Sequence, residues 1–140
     1  MKQIIKLSTD GSLTVHDFPT GTRSQQSEEL KALIGETCET LERVRPFRLY
    51  SVLGMTPEVT GIPGQAVSML ADEEGLLKNL EVNPMASWLY GTDRHGNTIV
   101  GNVLFVGEEY ACGGIDFCGI HEKVLPMLQQ ALKLFGGGRR

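Results

Sequence analysis

The sequence predicts an α+β fold: one domain with a mostly antiparallel sheet of about five or six strands and two main helices packed on it. Three observations carry this. Strand-like segments follow one another through turns and loops rather than alternating one for one with helices, which excludes a doubly wound parallel sheet. Thr98–Val106 has apolar residues on both sides, Ile99, Val103 and Phe105 against Val100, Leu104 and Val106, as a central strand covered on both faces would. His121–Phe135 carries Val124, Leu125, Leu128, Leu132 and Phe135 on one helical stripe. At 140 residues the chain can bury a core without disulfide or metal staples. The domain is expected over residues 1–135, with Gly136–Arg140 as a flexible tail.

Residues Met1–Pro19 read as a hairpin. Ile4, Ile5 and Leu7 form its first strand, Asp10-Gly11 its turn, and Leu13 and Val15 its return strand. Thr20–Ser27 is polar and reads as a loop. Ser27, followed by Glu28 and Glu29, starts a helix, because the hydroxyl can cap free N–H groups and the carboxylates favour the positive end of the dipole. Apolar spacing could carry this helix to Val44. Alternatively Gly35 stops it and the stretch up to Val44 becomes a strand; we favour the stop at Gly35.

Pro46–Tyr50 either extends that strand or turns out of it. Leu53–Gln65, with Gly54, Pro57, Gly61, Pro63 and Gly64, is a long loop. Ala66–Ala71 is a buried-type strand closed by Asp72-Glu73-Glu74-Gly75. Asn83-Pro84 opens a helix that Gly91 closes. Thr92–Asn97 reads as a polar loop before the central strand, and Gly101 within that strand marks a bulge or close packing. Glu108–Phe117 is a glycine-containing connection. Pro126 has to sit in the first turns of the last helix or kink it.

The 13 basic and 17 acidic residues leave a net charge of −4, which gives no footprint for a nucleic-acid backbone. No apolar run approaches a membrane span, and MKQIIKLSTDG meets charge and turn residues too soon for a signal peptide. Three cysteines, an odd number, fit reduced thiols. A cytoplasmic protein without nucleic-acid or membrane partners is expected.

The runs ADEEGLLKNLEVNP, SWLYG and TIVGNVLFVG resemble the small proteins grouped as the domain of unknown function 3846 family. The matching positions are Glu73, Glu74, Gly75, Leu77, Asn83, Pro84, Ile99 or Val100, Gly101 and Gly107. The N-terminal strand, Leu33-Ile34-Gly35 and Asp116-Phe117 are also similar, and the second of these supports the stop at Gly35. The insert around Pro57–Gly64 departs from the family's shorter pattern. The resemblance implies occurrence in bacteriophages, plasmids and other mobile elements, hence an accessory role, against host defence and in a host bacterial cytoplasm. It brings no catalytic residues with it.

Cys112, Cys118, His121 and His95 could meet around a metal, but C-x5-C-x2-H is not a zinc-knuckle spacing, and buried structural cysteines are the commoner outcome. Cys118 and His121 as nucleophile and base lack an orienting partner. No phosphate loop, HExxH, GxSxG or dinucleotide fingerprint is present, and Gly113-Gly114 lacks the strand-to-helix context of a phosphate cradle. Glu36, Glu39 and Glu42 read as a solvated edge. No metal, cofactor or catalytic residue is assigned.

The best binding candidates are Trp88, Tyr90, Arg94, His95 and Asn97: aromatics for stacking, a guanidinium for phosphate or carboxylate, an amide for a base edge. Arg48, with Arg43 and Arg45, adds positive charge if its segment lies alongside. The competing reading gives Trp88 and Tyr90 only the task of packing a short helix onto the sheet. Three functions follow, in order. The first is non-catalytic sequestration of a small nucleotide-derived ligand, in a closed pocket completed by a second subunit. The second is inhibition of a host protein, and the third a small nucleotide- or peptide-cleaving enzyme. Self-association through the tail helix stays open.

Overall fold

In the computed structural model, which describes residues 2–138, the N-terminal hairpin forms as its alternation dictates. Strand β1 (Gln3–Leu7) pairs antiparallel with β2 (Leu13–Asp17), Ile5 facing Val15. Helix α1 (Arg23–Ile34) begins earlier than the Ser27 start expected from sequence. Its cap is Thr22: the Thr22 hydroxyl accepts from the Gln25 N–H, and the Gln25 side chain accepts from the Thr22 N–H. This reciprocal box satisfies two free donors at once, and it lies within the Thr20–Ser27 stretch expected to be a loop. The helix stops at Gly35, and β3 (Leu41–Val44) follows as a strand.

Pro46 neither continues that strand nor simply turns the chain. It starts helix α2 (Phe47–Leu53), which ends at a left-handed Gly54. Residues 55–65 form the long loop, and Gly64 fastens its end: its N–H donates to the Glu108 carbonyl at 3.1 Å and its carbonyl accepts from the His121 N–H at 2.9 Å. Strand β4 (Ala66–Asp72) is buried along its whole length. Helix α3 (Pro84–Tyr90) has the expected Asn83 cap, Pro84 at its first position and Gly91 at its end.

The next segment departs from expectation in two places. Thr92–His95 is a single helical turn, α4, instead of a loop. The central strand β5 spans Val103–Ala111, displaced from the expected Thr98–Val106. Gly101, at φ +79° and against Leu80, turns the chain between the two halves, leaving Val100 in an isolated bridge with Val82. The expected Glu108–Phe117 connection is instead a hairpin: β5 runs on to Ala111 and returns as β6 (Gly114–Cys118). Helix α5 (Val124–Gly138) takes Pro126 in its first turn and includes the three glycines assigned to a tail. Arg139 and Arg140, the rest of that tail, lie outside the described residues.

The sheet order is β2-β1-β5-β4-β3, with β6 pairing the far half of β5, and every pairing is antiparallel. The α+β architecture is therefore as expected: among the described residues the sheet has six strands, and the two longest helices, α1 and α5, are accompanied by the shorter α2, α3 and α4. Helix α1 covers one face, packing Leu30 and Ile34 on Ile4, Leu70, Leu104 and Val106. Helices α2, α3 and α5 cover the other through Leu49, Leu89, Leu128 and Leu132 on Ile5, Met69 and Phe105. This double covering leaves Val103–Val106 fully buried on both sides. Where the Gly64 loop crosses the sheet, a Cβ on Gly107 would meet the Gly119 carbonyl oxygen at 2.3 Å and the Gly64 Cα at 2.7 Å, so three backbones touch.

Candidate functional site

Helices α2 and α3 are short, and each is anchored by one fully buried leucine, Leu49 and Leu89. Anchoring by Leu49, with Tyr50 and Leu53 also packed on the core, turns Phe47 and Val52 outward: they are 49% and 56% exposed, high for large apolar side chains. A groove of about 390 Å³ opens between the two segments. Phe47, Arg48, Ser51 and Val52 line one wall, and Tyr90, Gly91, Arg94 and His95 the other.

The aromatic lining runs from one wall to the other. The Phe47 and Tyr90 rings stack at 6.1 Å between centroids, 21° from parallel, and His95 meets Tyr90 edge-on at 4.6 Å. The His95 Nδ1 accepts from the Asn97 N–H at 3.1 Å, which places the ring proton on Nε2, where it donates to the Tyr90 carbonyl at 3.3 Å.

The two arginines of the groove differ. Arg48 donates from both terminal nitrogens to Asp93, at 2.7 and 2.8 Å, and also to the Trp88 carbonyl. Its guanidinium lies over the Trp88 ring at 4.8 Å. The hydrogen bonds from Arg48 pull the Asp93 carboxyl down to about 2. Arg94 is exposed and has no ion pair or side-chain hydrogen bond among the described residues. One wall therefore holds a fixed, neutralised cation and the other an unengaged one.

The family model for a domain of unknown function (DUF3846) matches residues 47–133 of this chain, more than half of it. The chain belongs to the DUF3846 family. No curated protein and no solved structure matches it. The DUF3846 segment begins at the first residue of α2 and so contains the whole groove. The similarities noted in the N-terminal strand and at Leu33-Ile34-Gly35 fall outside it.

Within this segment, four of the six residues singled out from sequence meet at the groove: Arg48, Tyr90, Arg94 and His95. Trp88 stands behind Arg48, its ring against Phe135 at 5.1 Å, and supports the guanidinium without lining the groove. Asn97 offers backbone rather than amide: its N–H reaches His95 and its carbonyl accepts from the Thr92 hydroxyl at 2.5 Å. Phe47, Ser51, Val52 and Asp93 were not singled out; Pro46 before FRLYSVL, closed by Gly54, was the signal for the helix that presents the first three.

Arg43 and Arg45 do not reach the groove. Arg43 donates to the buried Glu108 carboxylate at 2.6 Å, and Arg45 to the Pro57 carbonyl at 3.0 Å. Cys112 sits exposed at the β5–β6 turn. Cys118 is buried, and desolvation, with the Glu109 carboxylate nearby, pushes its thiol up to about 12, far from a thiolate at neutral pH. His121 is occupied at the start of α5, its Nδ1 accepting from the Lys123 N–H at 3.1 Å. A larger hollow of about 510 Å³ beside Phe18 is a shallower dish whose charges, Lys2 and Asp17, oppose each other. It offers one aromatic ring, Phe18, and a cation that shares the hollow with the Asp17 carboxylate, whereas the α2–α4 groove brings the stacked Phe47 and Tyr90 rings and His95 to the Arg94 guanidinium.

Proposed function

We propose that this protein is a non-catalytic binder of a small nucleotide-derived ligand, an accessory protein of phage or mobile-element type that sequesters its ligand in the α2–α4 groove. The observation that carries this reading is the placing of an unengaged guanidinium, Arg94, in one groove of about 390 Å³ with the stacked rings of Phe47, half exposed, and Tyr90, partly buried. That volume falls in the range of small-molecule sites, roughly 300–1,000 Å³. In this reading the rings take the planar face of a base, and Arg94 takes an anionic group by charge-assisted hydrogen bonds. The groove of one chain is open, so sequestration requires a lid or a second copy over Phe47 and Val52.

The test is to incubate the purified protein with mononucleotides, cyclic nucleotides and ADP-ribose-type nucleotides, and to follow melting temperature and native mass. A rise in melting temperature with intact ligand recovered after heating supports sequestration; altered ligand recovered means an enzyme. Arg94→Ala is expected to weaken the bound nucleotide about tenfold, and unchanged affinity in that variant removes the groove as the site.

A second reading, docking on a host protein, is favoured by Leu76 and Leu77 in the loop after β4, which are 67% and 83% exposed side by side. It predicts that Leu77→Asp abolishes activity in cells while leaving every nucleotide shift intact.

A further inference from the structure

Resting on the groove reading, we propose that Asp93 is an internal occupant of an anion subsite on Arg48, displaced when a phosphate monoester binds the groove. Four observations converge on this pair. First, Arg48 is held independently of Asp93: its guanidinium lies over Trp88 at 4.8 Å and donates to the Trp88 carbonyl, and Trp88 is itself pinned on Phe135. Removing the carboxylate therefore leaves the fork in position. Second, the partners are unequally exposed, the Arg48 side chain 21% and that of Asp93 58%, so the carboxylate is the one free to leave. Third, Asp93 sits in a four-residue turn between Gly91 and Gly96, at φ +94° and +80°, a segment with backbone freedom at both ends. Fourth, Arg48 lines the same groove as Arg94.

The chemistry selects the ligand class. The two parallel N–H···O bonds at 2.7 and 2.8 Å have the geometry in which a guanidinium grips either a carboxylate or two phosphate oxygens. The Asp93 carboxylate is more than half exposed, so a second anion can reach the fork from solvent and compete with it for the guanidinium. A phosphate monoester carries close to two negative charges at neutral pH, its second pKa being about 6. Once Asp93 has swung out, Arg48 and Arg94 together match that charge. A phosphodiester carries one negative charge, which Arg94 alone matches, and so gains nothing from the displacement. The subsite accordingly prefers a terminal phosphate on an aromatic-bearing molecule, a nucleoside monophosphate, over its cyclic diester or its nucleoside.

Asp93→Asn tests this, because it removes the competing charge at an exposed position. Calorimetric titrations at pH 7.5 would compare wild type, Asp93→Asn and the distant charge control Asp10→Asn. The probes are AMP, GMP, CMP and UMP, the four nucleosides, and 3′,5′-cyclic AMP. The expected result is monophosphate binding tightened roughly fivefold in Asp93→Asn, with nucleoside and cyclic AMP affinities within twofold and Asp10→Asn unchanged. Monophosphate and cyclic AMP tightening alike would mean a general loss of repulsion and would overturn the subsite. So would no change in monophosphate affinity while nucleosides still bind, an outcome that leaves the groove reading standing. Absence of binding by every probe to both wild type and Asp93→Asn overturns the subsite and the groove reading together.

Discussion

Asn83 joins three parts of the fold through one side chain, and its replacement offers a sharp test. Its Nδ2 donates to the Leu7 carbonyl at 3.2 Å and to the Gly101 carbonyl at 3.0 Å, while its Oδ1 accepts from the Ala86 N–H at 3.2 Å. The residue is 1% exposed, so water cannot replace these partners. Asn83→Ala loses the cap of α3, about 1 kcal/mol. It also leaves two buried carbonyls short of a donor, about 1 kcal/mol each. The expected loss is about 3 kcal/mol, or a fall in melting temperature of roughly 10 °C for a chain of this size. Asn83→Asp separates the two roles, since aspartate caps helices as well as asparagine does. Here its carboxylate would face two carbonyl oxygens that need donors, so the loss at pH 7 should equal or exceed that of alanine. It should shrink as pH falls towards about 4 and be smallest below that, where a carboxyl held high by this repulsion is protonated in both folded and unfolded chain. Urea and thermal denaturation followed by circular dichroism measure both variants. If Asn83→Asp at pH 7 lies within about 1 kcal/mol of wild type, the paired donors do not matter and the reasoning fails.

Three further expectations concern Gly107, the cysteines and Asp93. Gly107→Ala places a Cβ 2.3 Å from a carbonyl oxygen and 2.7 Å from a Cα, both backbone, and should cost about 3 kcal/mol; Gly35→Ala, with nothing within 4 Å, should change the melting temperature by no more than a degree or two. Thiol titration with a chromogenic disulfide at pH 8 should show one fast thiol, the exposed Cys112, with Cys38 and Cys118 released only on unfolding; a second fast thiol would contradict the burial that pushes both of those up. The Asp93 carboxyl, held at about 2 in the folded protein against an ordinary value of 3.8, binds its proton later than in the unfolded chain. The pair with Arg48 therefore favours the fold fully above about pH 4, and this contribution disappears as pH falls through 2. A carboxyl titration by NMR that places Asp93 at its ordinary value would show the pair open in solution.

Features whose cause is local were legible in the sequence. Asn83-Pro84 and Gly91 bound α3 because a cap, a fixed φ and a left-handed stop act within a few residues. Tyr90, Arg94 and His95 line one wall of the groove for the same reason, all being carried on one short segment. The start of α1 was hidden because Thr22–Glu29 contains no apolar residue, so the reciprocal Thr22–Gln25 box was the sole signal for its first two turns. The span of β5 was misplaced because Gly101 divides an apolar run that periodicity treats as continuous, while Gly107–Ala111 becomes strand through pairing with β6. The opposite wall of the groove was legible only in Arg48, on the condition that its segment lay alongside; its pairing with Asp93 was not, because the two meet across 45 residues of chain and neither residue's neighbours indicate the other.

The strand order also constrains how the chain comes together during synthesis. The family-matched segment supplies β4, β5 and β6, but both flanks of its β4–β5 pair are closed by strands from the first 46 residues, β1 against β5 and β3 against β4. Ile5 has to wait for Phe105 to emerge before its other edge can pair with β5. A two-stranded hairpin such as β1–β2 is marginal in water by itself, so the early part of a nascent chain carries Ile4, Ile5 and Leu7 without a partner. A ribosome-tethered series truncated before and after Val103 should therefore pass abruptly from protease-sensitive to protected, with the N-terminal strand acquiring protection last among the residues made first.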